Sequence, residues 1–277
     1  MTSHLTIFAK QMERLQFTGT ALVTGGSSGI GLEFARQLAG RGCDLALVSN
    51  RADELEAAKK ALEAQYGVSV SILEADLARA GAAENVAAWC DAEGLAPDIL
   101  INDAGMFFMK YLSPEMLPKV RTMMNLHMDA ATELCIILGA RMKERGRGWI
   151  LNVSSMTARI PAPGIAIYSA TKAYLKVFGK SFSYEMRPFG VKVTTLCPAA
   201  VDTGLYPLSD GMRRAGRTLG LIWTPEKLVR RALRALFAGR RVVSPGVVNH
   251  IVPAIIAILP ARLIDRLGMR WINKGSV

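Results

Sequence analysis

Thr20-Ala-Leu-Val-Thr24-Gly25-Gly26-Ser27-Ser28-Gly29-Ile30-Gly31 is the stretch on which the fold turns. A short apolar strand runs into a glycine-rich turn. Leu32, Ala35 and Leu38-Ala39 then recur at helical spacing. In that order the elements aim a helix N-terminus, with its free N–H groups and partial positive charge, at an anion beyond the strand. Gly25-x-x-x-Gly29-x-Gly31 departs from the common G-x-G-x-x-G spacing, so taken alone it also reads as a plain glycine turn. Its context makes Gly25, Ser27, Ser28, Gly29, Ile30 and Gly31 candidates for holding a dinucleotide pyrophosphate.

Working outward, strands and helices alternate to about Val243. Leu45–Val48, Val68–Glu74, Asp98–Ile101, Trp149–Val153 and Val191–Leu196 read as strands, with Arg241–Val243 a plausible seventh. Ala52–Tyr66, Ala82–Ala92, a long segment around Leu117–Arg145, and Tyr168–Pro188 read as helices. This alternation predicts an α/β fold, a Rossmann-type doubly wound parallel sheet of about seven strands covered by helices on both faces. Such sheets bind ligands beyond the carboxyl ends of their strands. Asn102 after the fourth strand, Ser155 after the fifth and Pro198 after the sixth fall there. The chain divides into an arm (1–18), a single nucleotide-binding catalytic domain (19–246) and an apolar then amphipathic tail (247–277).

Composition sets outer bounds. The 277 residues are 51% hydrophobic and 21% charged, a globular balance with room for a buried core. No run of about 18 apolar residues is present, and Lys10, Glu13 and Arg14 interrupt any signal-peptide pattern, which points to the cytoplasm. Cys43, Cys90, Cys135 and Cys197 are scattered, with no metal-ligand spacing, and read as buried single thiols. Net charge is +11, and Gly211–Arg241 carries nine Lys or Arg against the single acid Glu226. A solvated basic face is one reading, and attraction to anionic lipid or a phosphorylated carrier is the other. There is no nucleic-acid module.

Two further clusters carry chemistry. The second strand ends Val48-Ser49-Asn50-Arg51, without an acid to accept an adenosine 2′-hydroxyl. Ser49 and Arg51, with Ser27, suit a 2′-phosphate instead, with Asn50 a further cofactor-binding candidate beside them, so NADP(H) is favoured over NAD(H). Asp76 can accept from the adenine amino group, and Asn102, Ala104 and Gly105 supply a close turn at the ribose. Downstream, Tyr168 precedes Lys172 by one helical turn and follows Ser155 by thirteen residues. Hydride delivery to a ketone leaves negative charge on oxygen, which needs a proton donor and fixed hydrogen bonds. A lysine at i+4 favours the phenolate and lowers the tyrosine pKa. Tyr168 is then the acid for reduction or the base for oxidation, and Ser155 holds the carbonyl. Ser154 competes, but strand alternation turns it to the other face.

This combination resembles the short-chain dehydrogenase/reductase family from about Thr20 onward. Thr24–Gly31 is similar to its TGxxxGIG loop, Asp76-Leu77 to its adenine-contact pair, and Asn102-Asp-Ala-Gly105 to its NNAG turn, with Asp103 in place of the second Asn. Ser155, Tyr168 and Lys172 match its catalytic residues. Pro198–Thr203 resembles a segment in which Val201 and Thr203 would hold the nicotinamide carboxamide. The family usually adds an Asn on the long helix as part of a proton relay. Ungapped counting places His127 there, which would steepen the activity profile near pH 6–7; a small insertion would restore Asn125 instead. The C-terminal part resembles broad-specificity bacterial reductases similar to long-chain 3-oxoacyl-CoA and 3-ketosphinganine reductases.

The stretch Gly204–Trp223, with Leu205, Tyr206 and Trp223, and the residues Met106 and Met156 suggest an apolar, methionine-rich substrate site. A fatty-acyl, sphingoid or sterol-like ketone fits it; plain core packing is the other account. Val247–Leu259 is apolar, with Pro253 and Pro260 read as breaks. Ala261–Lys274 carries Arg262, Arg266, Arg270 and Lys274 at fourfold spacing. That amphipathic helix suits the inner membrane surface, another subunit or the substrate cleft. The expectation is therefore an NADP(H)-dependent oxidoreductase, assembled as a homodimer or homotetramer, with peripheral membrane contact through the tail. The rivals are an epimerase or dehydratase on the same fold and a non-enzymatic redox sensor that docks through Gly211–Arg241.

Overall fold

The computed structural model describes residues 19–202, 211, 214 and 222–266. Seven strands form one parallel sheet in the order β3-β2-β1-β4-β5-β6-β7. They are β1 (Thr20–Thr24), β2 (Asp44–Ser49), β3 (Val70–Glu74), β4 (Pro97–Asn102), β5 (Gly148–Val153), β6 (Val191–Leu196) and β7 (Val242–Val243). The order reverses between β1 and β4, which opens a crevice at the carboxyl ends of those strands. β3 starts two residues later than its apolar alternation predicts, because Val68 leads into the strand without pairing on β2.

Strand alternation sorts the core into two layers. Ala21, Val23, Leu45, Leu47, Ile99 and Ile101 face α1 (Gly29–Ala39), α2 (Ala52–Tyr66) and a later helix, α7 (Pro225–Phe237). Leu22, Ala46, Val48, Leu100 and Ile150 face α3 (Ala82–Ala92), α5 (Ala130–Glu144) and α6 (Ala166–Met186). Burying each such aliphatic side chain contributes roughly 1.5–3 kcal/mol. All four cysteines are buried free thiols. On α7 the apolar Leu228, Val229, Leu233 and Leu236 are buried, while Lys227, Arg230, Arg231 and Arg234 point to solvent. In this part the basic segment is a solvated helix face.

Two expected elements differ in detail. The long helix is α4 (Leu117–Met124), one wide π-helical turn (Asn125–Asp129), then α5. The apolar tail forms α8 (Val248–Ile258), which runs through Pro253 instead of breaking at it. Proline cannot donate to the carbonyl four residues back, here Asn249. The Arg159 guanidinium donates to that Asn249 carbonyl instead, and so ties α8 to the turn that follows Ser155.

Candidate active site

A groove of about 660 Å³ runs along the crevice from the glycine loop to the start of α6. At one end it is lined by Gly25, Ser27, Ser28, Gly29 and Ile30, with Ser49, Asn50 and Arg51 beside them and Asp76-Leu77 opposite. Ala104, Gly105, Met106 and His127 form the middle, and Ser155, Tyr168, Lys172, Pro198 and Val201 the far end. Residues from all the main strand ends thus converge on one surface.

The cradle is held by backbone. Gly25 N–H donates to the Val48 carbonyl at 2.8 Å, which ties the loop to β2. The Thr24 hydroxyl oxygen accepts the N–H groups of Asp103 and Ala104, both at 3.1 Å, and so binds the loop after β4 to the loop after β1. Ser28 stands at the N-cap of α1 with extended backbone and makes no side-chain cap bond; Gly29 and Ile30 at the helix start line the groove, while the Gly31 N–H goes to the Asp103 carboxyl. This polar, glycine-lined trough fits a dinucleotide pyrophosphate.

Some expected contacts are corrected. Asn102 is buried and turned away from the groove: its amide donates to Asn152 Oδ1 at 2.9 Å and to the Ala131 carbonyl at 3.2 Å, bracing β4 to β5 and α5. Gly31 lies under the loop and does not line the groove. Met156 and Trp223, expected on the substrate side, do not line this groove. Met156 N–H donates to the Pro198 carbonyl, and Trp223 bridges to Val201 and packs on the core. Thr203, Leu205 and Tyr206 lie outside the described residues, as do the arm 1–18 and the tail beyond 266.

At the chemical end Ser154 lines the groove beside Ser155, but its hydroxyl is committed to the Lys172 carbonyl at 2.6 Å. Ser155 Oγ accepts the Thr157 N–H at 3.1 Å and keeps its own proton to donate. The Lys172 ammonium donates to the Val153 carbonyl at 2.9 Å and lies 5.8 Å from the Tyr168 ring centre. Burial pulls Lys172 down to about 8, against the opposing pull of Asp103 and Cys197. Burial pushes the Asp103 carboxyl up to about 7, opposed by Lys172 and by the Gly31 N–H. Phe107 stands edge-on to the Tyr168 ring at 4.9 Å.

His127 and Asn125 part company on the wide turn. Asn125 donates to the Ala78 carbonyl at 3.0 Å, whereas the His127 ring is buried beside Tyr168, with ring centres 5.8 Å apart. Met106 N–H can only donate, so His127 Nε2 accepts it at 3.0 Å and the proton sits on Nδ1. Nδ1 faces Thr171 Oγ1 at 2.9 Å, and Thr171 donates onward to the Tyr168 carbonyl, also at 2.9 Å. With both nitrogens engaged, the ring braces the Tyr168 turn against the loop after β4. Burial, then the Lys172 charge, holds His127 well below its ordinary value, which favours the neutral ring.

This predicts an acid-labile fold. Below the unfolded value near 6.5 the unfolded chain binds a proton that folded His127 refuses. Its contribution to stability, complete above that pH, is therefore lost as pH falls toward the depressed folded value, at up to about 1.4 kcal/mol per pH unit. Melting curves between pH 7.5 and 5.5 should drop less steeply for His127→Asn than for the wild type. Parallel curves would show that His127 does not carry the effect.

Glu54 was missed by sequence reading. On the first turn of α2, its carboxylate takes the Arg51 guanidinium at 2.7 Å and the Ser27 hydroxyl at 3.1 Å, beside a Ser27–Ser49 bond of 2.9 Å. The i,i+3 spacing from Arg51 at a helix start was the available signal.

Comparison with known proteins agrees with this geometry. The sequence model of the short chain dehydrogenase family matches residues 19–210. The chain is 28% identical over 257 residues to a very-long-chain 3-oxoacyl-CoA reductase-B of Danio rerio, covering 90% of this chain and 78% of that protein. It is 32% identical over 197 residues to a hydroxysteroid dehydrogenase-like protein 1 of Gallus gallus, covering 68% of this chain and 57% of that one. Among solved structures, a short-chain dehydrogenase from Sphingobium yanoikuyae in complex with NADPH superposes with a TM-score of 0.74 at 30% identity, covering 94% of this chain and 96% of that one. A bulky-bulky ketone specific alcohol dehydrogenase from Comamonas testosteroni gives 0.72 at 25% identity, over 88% and 95%. A parallel sheet with its glycine loop at the switch point, and a match over most of the chain, lead to one conclusion: this chain belongs to the short chain dehydrogenase family and is an oxidoreductase.

Proposed function

We propose that the chain reduces a bulky hydrophobic ketone, fatty-acyl, sphingoid or sterol-like, with NADPH. The observation that carries this reading is the Tyr168 ring on the groove lining, which it shares with Ser155 and Lys172, with Phe107 edge-on to it. Bound nicotinamide would supply the hydride to the carbonyl carbon. Ser155 donates a hydrogen bond to the carbonyl oxygen, and the Tyr168 phenol delivers the proton that completes the alcohol. The Lys172 ammonium stabilises the phenolate left behind. In oxidation Tyr168 takes the proton back. Ser27, Ser49 and Arg51 would receive the 2′-phosphate, Asp76 and Leu77 the adenine, and Val201 and Thr203 the carboxamide. The fatty-acyl and bulky-ketone names among the relatives support the substrate class.

The test is NADPH consumption against 3-oxoacyl thioesters, 3-ketosphinganine and ketosteroids, with Tyr168→Phe as control. Turnover that depends on the tyrosine is expected on one class. No turnover, or turnover that survives the substitution, overturns the reading.

A homodimer or homotetramer and peripheral membrane contact complete the proposal. Ile136 on α5 and Val177 and Tyr184 on α6 are exposed apolar residues suited to a subunit interface. No described helix is long and apolar enough to cross a membrane. Val247 at the N-cap of α8 and Ile251, Ile255 and Ile258 along it recur on one face, all exposed, Ile258 by 82%, and exposed Arg262 and Arg266 follow in a separate helical segment after Pro260. Sedimentation with anionic vesicles is expected to recover the protein, and Ile258→Asp to release it. Equal recovery with neutral vesicles, or none with anionic ones, would refute a charge-assisted contact.

A further inference from the structure

The anion seat beside the glycine loop is contested from within the chain. Ser27, Ser28 and Arg51 line the groove where the adenosine ribose would lie. Glu54 reaches the same donors from the first turn of α2, taking Arg51 at 2.7 Å and Ser27 at 3.1 Å. The Arg51 hydrogen bond, then those of Ser27 and Ser28, hold its carboxyl below the ordinary glutamate range, so the seat faces a carboxylate at neutral pH. A carboxylate accepts the hydroxyls of an unphosphorylated ribose, yet repels a phosphate and competes with it for a guanidinium.

We infer that Glu54 is a specificity-determining residue: it occupies the 2′-phosphate seat, so that NADPH binds only as its phosphate displaces the Glu54 carboxylate from Arg51 and Ser27, while NADH binds with the pair intact. This deepens the cofactor reading above and rests on it. Glu54 then narrows the preference for NADPH that Ser27, Ser49 and Arg51 would otherwise impose. Arg51 and Glu54 are 62% and 40% exposed, so the pair is hydrated and its release from Arg51 costs little. The larger opposition is the charge that the carboxylate keeps beside the phosphate.

The experiment is isothermal titration of the full chain with NADPH, NADH, 2′,5′-ADP and 5′-AMP, for wild type, Glu54→Gln and Arg51→Ala. Glu54→Gln keeps size and hydrogen bonding and removes the charge, at a site on an exposed helix turn. It is expected to tighten 2′,5′-ADP and NADPH about tenfold, with NADH and 5′-AMP unchanged or weaker. Arg51→Ala should weaken the phosphorylated pair alone. Unchanged affinity for 2′,5′-ADP in Glu54→Gln would overturn the inference while leaving the cofactor reading intact. Wild type that binds neither NADPH nor NADH would overturn the cofactor reading, and the inference with it. If Arg51→Ala binds 2′,5′-ADP as tightly as wild type, the seat is elsewhere and the inference fails.

Discussion

Tyr168→Phe should lower turnover by about 10²- to 10⁴-fold, the range that a positioned proton donor contributes, with NADPH affinity unchanged. The substitution removes one oxygen and leaves the ring. Phe107 still meets it edge-on at 4.9 Å, and His127 still packs beside it at 5.8 Å. The Tyr168 carbonyl keeps its bond from Thr171, because that bond belongs to the backbone. The ring packing on both sides of the site is therefore retained. What is lost is the only phenol on the groove lining among the described residues, the group that, in the proposed reaction, protonates the oxygen as hydride arrives. Steady-state kinetics with an active ketone, and calorimetric titration with NADPH on the same preparations, read the two effects separately. Activity within about threefold of wild type would remove Tyr168 from the mechanism. The pH dependence adds a check: since burial pulls Lys172 down to about 8, its charge is lost as pH rises through that value, and the phenolate loses its counter-charge there.

Gly31→Ala is expected to weaken NADPH binding by about 10- to 100-fold, with a lower melting temperature. A Cβ on Gly31 would collide with the Gly25 carbonyl and come within 3.0 Å of Asp103 Oδ2. Gly25 cannot simply move aside. Its φ of +68° is open only to glycine, its N–H is held by Val48, and a Cβ of its own would meet the Ala104 backbone at 3.1 Å. The clash is therefore relieved by shifting α1 or the loop, and either shift spoils the aim of the helix N-terminus at the pyrophosphate. Overpacking of this kind costs about 1–3 kcal/mol, and about 1.4 kcal/mol corresponds to tenfold in affinity. Titration calorimetry and thermal melts of the purified variant measure both. Wild-type affinity would show that the loop accommodates the methyl group, and that its close packing is not what orients the cradle.

Much of this was legible beforehand for local reasons. The helix from Ala52 to Tyr66 ends at Gly67, whose φ of +67° stops it. Ala82–Ala92 and Val191–Leu196 have the bounds that their apolar pattern and flanking glycines imply. The convergence of Ser155, Tyr168 and Lys172 follows from helix period and strand ends, both encoded in spacing. Other features depended on partners remote in sequence. The wide turn at His127 accompanies ring bonds to Met106, 21 residues earlier, and Thr171, 44 later. α8 passes through Pro253 because Arg159, 90 residues from Asn249, supplies a donor that the helix lacks.

Side-chain choice at a strand end divides in the same way. Asn102 sits where a ribose contact was expected, yet the packed sheet offers it Asn152 and Ala131, and a buried amide goes to the partners that satisfy it. Glu54 lay only three residues from Arg51, but whether its carboxylate faced solvent or joined Arg51 and Ser27 depended on how α2 stands against the glycine loop. Period, glycine placement and chain order fix the sheet, its switch point and the shared groove of Ser155, Tyr168 and Lys172, because they act over one or two turns of chain. The direction of a polar side chain, the protonation state and the pairing of Glu54 with Arg51 and Ser27 were settled by packing, because each depends on which distant group excludes water from the same few ångströms.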